Sequence, residues 1–285
     1  METNTLNSHR ENDSDFNQFK VSLKYQFLAY IRTRRFIGLA IFSLIMSIIV
    51  TALMFHYEYS SLKAADSISF FYQYLSGFAV LFTSLIAAFF GGDLISADTG
   101  TNAAYYTLVQ PVRRSILFLG KFIAAIIAAF IVMLLYFFAA MVASLDLYGT
   151  ISYLILNSLG LLVLFMAAGI AFSSFFSGIF KNPSNGIVVS ILIIILGFGT
   201  IDVVVGNIAG VDPLFSIYFV GEIVYLVFDN KYSTKVVSHG GFGAHGATSY
   251  SFLPSIPQGI YVLLAYLIIF GALSILIYSR RQIEG

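Results

Sequence analysis

Apolar residues in this chain come in long blocks, not in alternation with polar ones. Six of the blocks are each about as long as a helix needs to cross the hydrocarbon core of a bilayer, roughly 20 residues at about 1.5 Å per residue. They predict spans at about 36–56, 70–90, 116–140, 153–176, 186–205 and 259–278. These blocks are apolar all round, whereas a helix of a soluble core keeps a polar face. The expected fold class is therefore an all-α membrane protein with six transmembrane helices.

Ahead of the first span the pattern changes. Phe16, Phe19, Leu23, Phe27 and Tyr30 recur at three- and four-residue steps, with Lys20, Lys24 and Arg35 off that stripe. A basic amphipathic helix in this position suits a leaflet surface, its cations near anionic head groups. The bland alternative is a polar extension of the first span. Residues 1–15 are polar and lack periodicity, so a disordered tail is expected there. No secretory leader is expected, because the first apolar block starts late and no small-residue cleavage site follows it.

Charge then orients the spans. With both termini on one side, twelve of the fifteen Lys and Arg residues fall on that side: Arg10, Lys20, Lys24, Arg32, Arg34, Arg35, Arg113, Arg114, Lys121, Lys181, Arg280 and Arg281. Only Lys63, Lys231 and Lys235 fall on the other. The positive-inside rule reads this as cytosolic termini and a multi-pass protein. Composition agrees, with 59% hydrophobic and 10% charged residues against about 25% charged in soluble domains. The basic residues hug span ends and form no aromatic-interleaved stripe, so nucleic acid is not an expected partner. There is no cysteine, hence neither disulfide nor thiolate metal site. Trp is also absent, which leaves Tyr57, Tyr59, Tyr72 and Tyr74 as the expected interfacial belt.

Most connections are short. The stretch from Lys181 to Asn185 reads as a tight turn broken by Pro183. The longest, residues 206–258, forms an expected extracytoplasmic loop with an apolar stretch of its own from Leu214 to Phe228. At about 16 residues that stretch is short for a span and reads as a re-entrant or interfacial helix, with Asp212 as its cap and Pro213 in its first turn. The glycine-rich run from Ser238 to Gly246 reads as a flexible loop. Its His239 and His245 form a weak ligand set with no neighbouring carboxylate or cysteine, and no metal or cofactor is expected.

The middle of each predicted span lacks Asp, Glu, Lys, Arg and His. Such residues cost roughly 2.5–3.5 kcal/mol at the bilayer centre and usually mark function there. A proton relay, a His-Glu-x-x-His metalloprotease helix and paired intramembrane carboxylates are all missing. No enzyme active site is expected. Nor is there a phosphate-binding Walker loop, since Gly120-Lys121 is followed by Phe122 and lacks the upstream glycine. Energy for any transport would come from another polypeptide.

The segment between the second and third spans is unusual. It runs from Gly91-Gly92-Asp93 through Asp98-Thr99-Gly100-Thr101 to Gln110-Pro111-Val112-Arg113-Arg114, then to Gly120-Lys121. Glycines and acids end the span, a short helix follows, and Pro111 redirects the chain. In these pieces the chain resembles the permease subunits of type-2 ATP-binding-cassette exporters, especially archaeal members. That family joins an acidic residue and a Gly-Thr pair to a Pro-[Val/Ile]-x-Arg turn and a Gly-Lys. Six spans, an entry helix and a long fifth-to-sixth connection also match, so the resemblance covers residues 16–281, although only some 30 of them carry a motif. Members commonly have Glu four residues before the glycine; here that place is Ser96, with Asp93 and Asp98 nearby.

The resemblance implies a permease, working as a homodimer or heterodimer in the cell membrane, driven by two copies of a separate ATPase subunit. It implies coupling to the ATPase through Asp93, Asp98, Gly100, Thr101, Pro111, Arg113, Arg114, Gly120 and Lys121, and through the helix bearing Phe16, Phe19, Lys20, Leu23, Lys24 and Phe27. The alternatives are a secondary transporter or channel, and a non-transporting membrane scaffold. Small residues in the fourth span, from Ala167 to Gly178, and Gly197 and Gly199 in the fifth are expected packing or kink positions.

Overall fold

A computed structural model describes residues 2–58, 64, 66–99, 113–229, 232–239 and 248–280. Among the described residues, six helices are long and apolar enough to cross a membrane. In chain order the elements are α1 (Glu2–Arg32), α2 (Arg34–Glu58), α3 (Ser67–Gly91), α4 (Ser96–Thr99), α5 (Arg114–Tyr148) and α6 (Ile155–Ile179). The fifth span opens as α7 (Pro183–Ile191), passes through a π-helical stretch Leu192–Phe198 and the turn α8 (Gly199–Ile201), and ends in a second π stretch, Asp202–Ile208. Then come α9 (Ile217–Val220), α10 (Ile223–Leu226), strands β1 (Lys235–His239) and β2 (Thr248–Phe252), and α11 (Ile256–Arg280).

Helices α3, α5 and α6 form the centre, with α2, the fifth span and α11 around them. Without a hydrophobic drive between helices in lipid, close packing depends on small residues and on hydroxyls that reach across. The α5 face carries Ala124, Ala125, Ala128, Ala129 and Val132, all fully buried. Against it, Ser43 of α2 donates to the Val132 carbonyl at 2.9 Å. The Tyr136 hydroxyl of α5 donates to the Tyr74 carbonyl at 2.9 Å, and the two rings lie 5.1 Å apart.

The small residues of α6 are used within the chain, shared between two neighbours. A Cβ on Gly169 would meet the Ala87 methyl of α3 at 2.8 Å, and one on Gly178 would meet Ile277 of α11 at 2.8 Å. Ser174 and Ser274 join α6 to α11 through a 2.8 Å hydroxyl contact.

The structure departs from the sequence expectations at definite places. Residues 2–15, expected as a disordered tail, are the first turns of α1. Once the amphipathic part has formed a helix, each further residue adds a backbone bond without a new nucleus. Tyr74 is no belt residue: it is fully buried, its hydroxyl against Thr51 at 3.1 Å. Tyr72 is half-buried with its ring edge-on to Tyr225, while Tyr59 and the Tyr57 side chain lie outside the described residues. The third span overshoots its apolar block and runs to Tyr148, where Gly149 closes it in the left-handed conformation at φ 67°.

The connection between the fifth and sixth spans differs most. Its helix is capped by Ser216, which accepts from the Phe219 amide at 3.1 Å, not by Asp212. It is split into two single turns at Gly221-Glu222 and tucked into the bundle, where Ser158 of α6 donates to the Val224 carbonyl at 2.7 Å. A two-stranded antiparallel hairpin, Lys235–His239 with Thr248–Phe252, flanks the glycine-rich run, and β2 packs on the second π stretch. His239 is in β1, paired with Thr248 in the register; His245 lies outside the described residues.

Gly186, at the start of the fifth span, has the tightest approach: a Cβ there would sit 2.2 Å from the Gly92 carbonyl oxygen. Backbone on both sides cannot yield as a side chain can. Gly186→Ala should therefore lower stability by about 1–3 kcal/mol, seen as a reduced thermal midpoint in detergent. Gly199→Ala, with nothing within 4 Å of its Cβ, should not. Equal effects of the two would refute this packing.

Candidate functional site

The resemblance directs attention to the segment after α3, and the described parts of it gather at one end of the bundle. Helix α3 ends at Gly91-Gly92 because backbone crowds it there. A Cβ on Gly91 would meet the Ile170 carbonyl oxygen at 2.6 Å, and one on Gly92 would meet the Ile187 backbone at 2.6 Å. The chain then turns through Asp93 into α4, and the Ala97 amide donates to the Asp93 carbonyl at 2.9 Å.

Ser177 of α6, far away in sequence, holds the start of α4. Its Oγ accepts from the amides of Ile95 and Ser96, each at 3.0 Å, and lies 3.0 Å from the Ser96 hydroxyl. Ser96, at the place where the resembled family commonly has Glu, is fully buried in this hydroxyl pair. A charged side chain there would need a partner that a neutral hydroxyl does not. Ser177 reads from the sequence as a packing residue only, because an N-terminal cap normally comes from the helix's own neighbours.

Asp93 is the acid with cationic company. Its Oδ2 is paired with Arg35 at the start of α2, the carboxylate being 15% exposed and the arginine 47%. Burial raises its pKa to about 6, opposed by Arg35 and by Lys121 of α5. Lys121 is buried, with its ammonium 5.8 Å from the centre of the Tyr278 ring of α11. Cations from α2 and α5 thus face one carboxylate at the end of α3, and α11 backs the lysine. The Asp98 side chain, Gly100, Thr101 and Pro111 lie outside the described residues.

Gly120 has a clear structural role. A Cβ on it would strike Ser22 of α1 at 2.5 Å, so the entry helix crosses α5 at this glycine. Ser22 donates toward the Leu117 carbonyl at 3.4 Å. Arg113 and Arg114 are engaged within the chain: Arg113 pairs with Asp15 of α1 at 2.9 Å, and Arg114 donates to the Ser279 carbonyl of α11 at 3.3 Å. The beginning of α5 therefore ties both the entry helix and the last helix to the same end of the bundle.

The expected stripe of α1 is divided. Leu23 and Phe27 pack on the core and Tyr30 is buried, its ring 5.4 Å from Phe90. Phe19 is half-buried, Lys24 is exposed, and Phe16 is 57% exposed beneath Lys20, whose ammonium stands 4.5 Å from the ring centre. Val21, Tyr25 and Leu28 add a second, exposed apolar row at four- and three-residue steps. A helix packed on protein along one side and apolar on another suits a membrane surface or a protein partner.

Comparison with known proteins finds no matching family model and no curated relative of this chain.

Replacing Ser177 by Ala would leave the Ile95 and Ser96 amides without an acceptor, a penalty of about 1–3 kcal/mol. Hydrogen exchange at residues 95–97 should quicken in Ser177→Ala while α5 keeps its protection. Unchanged exchange at 95 and 96 would show that Ser177 does not hold α4.

Proposed function

We propose that this chain is the membrane-spanning subunit of an ATP-driven exporter of the type-2 ATP-binding-cassette class, paired with a second permease copy and powered by separate ATPase subunits. The observation that carries this reading is the fastening of α1 to the start of α5, at Gly120 and through Asp15 and Arg113, beside the Asp93–Arg35 pair. An amphipathic helix, residues 92–99 after α3 and the basic start of α5 then form one connected surface at the end of the bundle. A motor pressing on that surface would act on α2, α3, α5 and α11 together. With cytosolic termini, as the charge bias implies, this is the face an ATPase would grip.

The spans themselves support an external engine, since their central parts carry no ionisable residue and the sequence has no nucleotide-binding loop. Coupling of this kind requires the motor to bind the two arrangements of the bundle with different affinity. One feature favours a secondary carrier instead. Asp202, in the outer part of the fifth span, accepts from Ser216 at 3.0 Å while its Oδ1 has no hydrogen-bond partner, and it is near enough to Glu222 to act on that carboxyl electrostatically. Uptake or efflux driven by a proton gradient in vesicles holding this chain alone would decide for that carrier.

Exchanging the charges, Asp15→Arg with Arg113→Asp, separates a contact with the motor from a contact within the chain. The exchange restores the internal pair but reverses the charge that Arg113 offers to a partner. In vesicles with a type-2 ATP-binding-cassette ATPase that the unaltered chain stimulates, the exchanged protein should stay folded yet lose most stimulation of ATP hydrolysis. Full stimulation by the exchanged protein would show that Arg113 serves α1 alone. Failure of the unaltered chain to stimulate any such ATPase would overturn the reading as a whole.

A further inference from the structure

A cavity of about 310 Å³ opens at the basic end of the bundle, where α1 turns into α2 beside the end of α3. Leu39, Phe89 and Phe90 give it apolar walls, and its polar groups come from Thr33, Arg34, Arg35 and Asp93. Thr33 is occupied in the joint itself, donating to the Tyr30 carbonyl at 2.7 Å and accepting from the Phe36 amide at 3.2 Å. Asp93 has nothing further to offer the cavity. Its Oδ2 is paired with Arg35, Lys121 faces it from α5, and its Oδ1 is sealed within the protein. Arg34 is different: it is exposed and makes neither an ion pair nor a hydrogen bond among the described residues. The lining thus sets two arginines against one carboxylate, with Lys121 behind it, and the surplus charge rests on Arg34.

The walls and the charge lie at different depths. Leu39 is in the second turn of the first span, and Phe89 and Phe90 are in the last turn of the second, so the apolar side reaches into hydrocarbon. Arg34 is the first residue of its span and stands where the span gives way to head groups. We infer that this cavity is a site for an anionic phospholipid, with its phosphate held by Arg34 and the upper part of one acyl chain laid along Leu39, Phe89 and Phe90. The planar fork of an arginine matches phosphate oxygens in pairs. Arg35, 47% exposed, adds attraction without leaving Asp93.

Charge selects among the lipids. A zwitterionic head group brings its own cation into a cavity where cations already outnumber acids, and Asp93 has no oxygen left to receive it. An anionic head group brings none and neutralises the surplus. A soluble phosphate ester would meet Arg34 but leave the apolar walls bare. The volume corresponds to roughly ten waters at about 30 Å³ each, room for a head group but not for a whole lipid. A basic face also draws anionic lipid in a general way, by roughly 1 kcal/mol for each Lys or Arg near the surface, whichever residue supplies the charge. A built site differs because one cation dominates. This assignment does not depend on the protein being an exporter, since it needs only the basic end of the bundle to meet a leaflet.

The test uses the full chain in discs of phosphatidylcholine, with added phosphatidylglycerol or phosphatidylethanolamine and retention read by native mass spectrometry. Phosphatidylglycerol should be retained about tenfold better than either zwitterionic lipid, as one charge-assisted hydrogen bond allows. Arg34→Gln, at an exposed position where folding is not at stake, should remove most of that preference. Arg34→Lys should restore part of it, as a charge without the fork. Lys24→Gln and Arg32→Gln remove exposed cations of α1 that do not line the cavity, and should leave the preference largely unchanged. Soluble glycerol 3-phosphate should not displace the lipid. Equal retention of the three lipids would overturn the assignment. Equal losses in Arg34→Gln, Arg32→Gln and Lys24→Gln would reduce it to general attraction and so overturn it, as would displacement by glycerol 3-phosphate.

Discussion

Everything in this fold depends on how closely backbones approach at the junction of α3, α6 and the fifth span. Gly91 and Gly92 press against Ile170 and Ile187, and Gly186 faces the Gly92 carbonyl with no room for a methyl group. In hydrocarbon there is no water to reward burial of one apolar side chain over another, so association rests on this kind of contact and on interhelical hydroxyls. The same junction ends α3 and fixes where Asp93 emerges. Ser177, on the next turns of α6, then receives the amides of Ile95 and Ser96. Packing and site are therefore a single arrangement: the glycines that admit α6 also put its serine under α4.

The spans were legible because their signal is thermodynamic and local. A continuous apolar block of sufficient length has few alternatives to crossing a bilayer, and each expected span has its helix. The amphipathic stripe before the first span was legible for the same reason, as Leu23, Phe27 and Tyr30 do turn toward the core. What escaped was set by partners distant in sequence. Tyr74 read as an interfacial aromatic, yet Tyr136 and Thr51 bury it. Asp212-Pro213 read as a helix start by local rules, but Ser216 caps instead, with its hydroxyl directed to Asp202. The hairpin beside the glycine-rich run gave little warning, since its strands are five residues each and one of them is Thr-Ser-Tyr-Ser-Phe.

At the basic end, the positive-inside pattern explains why the cations are there but not what each does. Arg35 neutralises Asp93, Arg113 meets Asp15, and Arg114 reaches the last turn of α11. Exposed pairs such as Asp15–Arg113 contribute little to stability, typically below about 1 kcal/mol. Their value is geometric: they set the direction in which α1 leaves α5. Gly120 performs the complementary task by letting the helices cross closely. Asp93 and Lys121 were legible as site candidates from their motif, whereas their meeting with Arg35 and Tyr278 could be read only from the folded chain.

The fifth span differs from the others in a way that bears on the proposed transport cycle. Gly197 and Gly199, read from the sequence as packing or kink positions, do not pack closely on a neighbour. The irregularity of this span lies in two π-helical stretches, the first of which contains Gly197, and both widen the turn while keeping backbone groups bonded. In lipid this is a tolerable deviation, because no amide is left without a partner. Each π turn holds one residue more than the α turn it replaces, so its loss or gain rotates the remainder of the helix by roughly 100°. The second stretch starts at Asp202, which is bonded to the cap of α9, and carries the packing surface for β2. A rotation there would be felt at once by the re-entrant turns and the hairpin. The permease proposed above, moved from its basic end, would need a span that can yield near its opposite end. The fifth span, thinly packed outside its first turns, meets that need without breaking a backbone hydrogen bond.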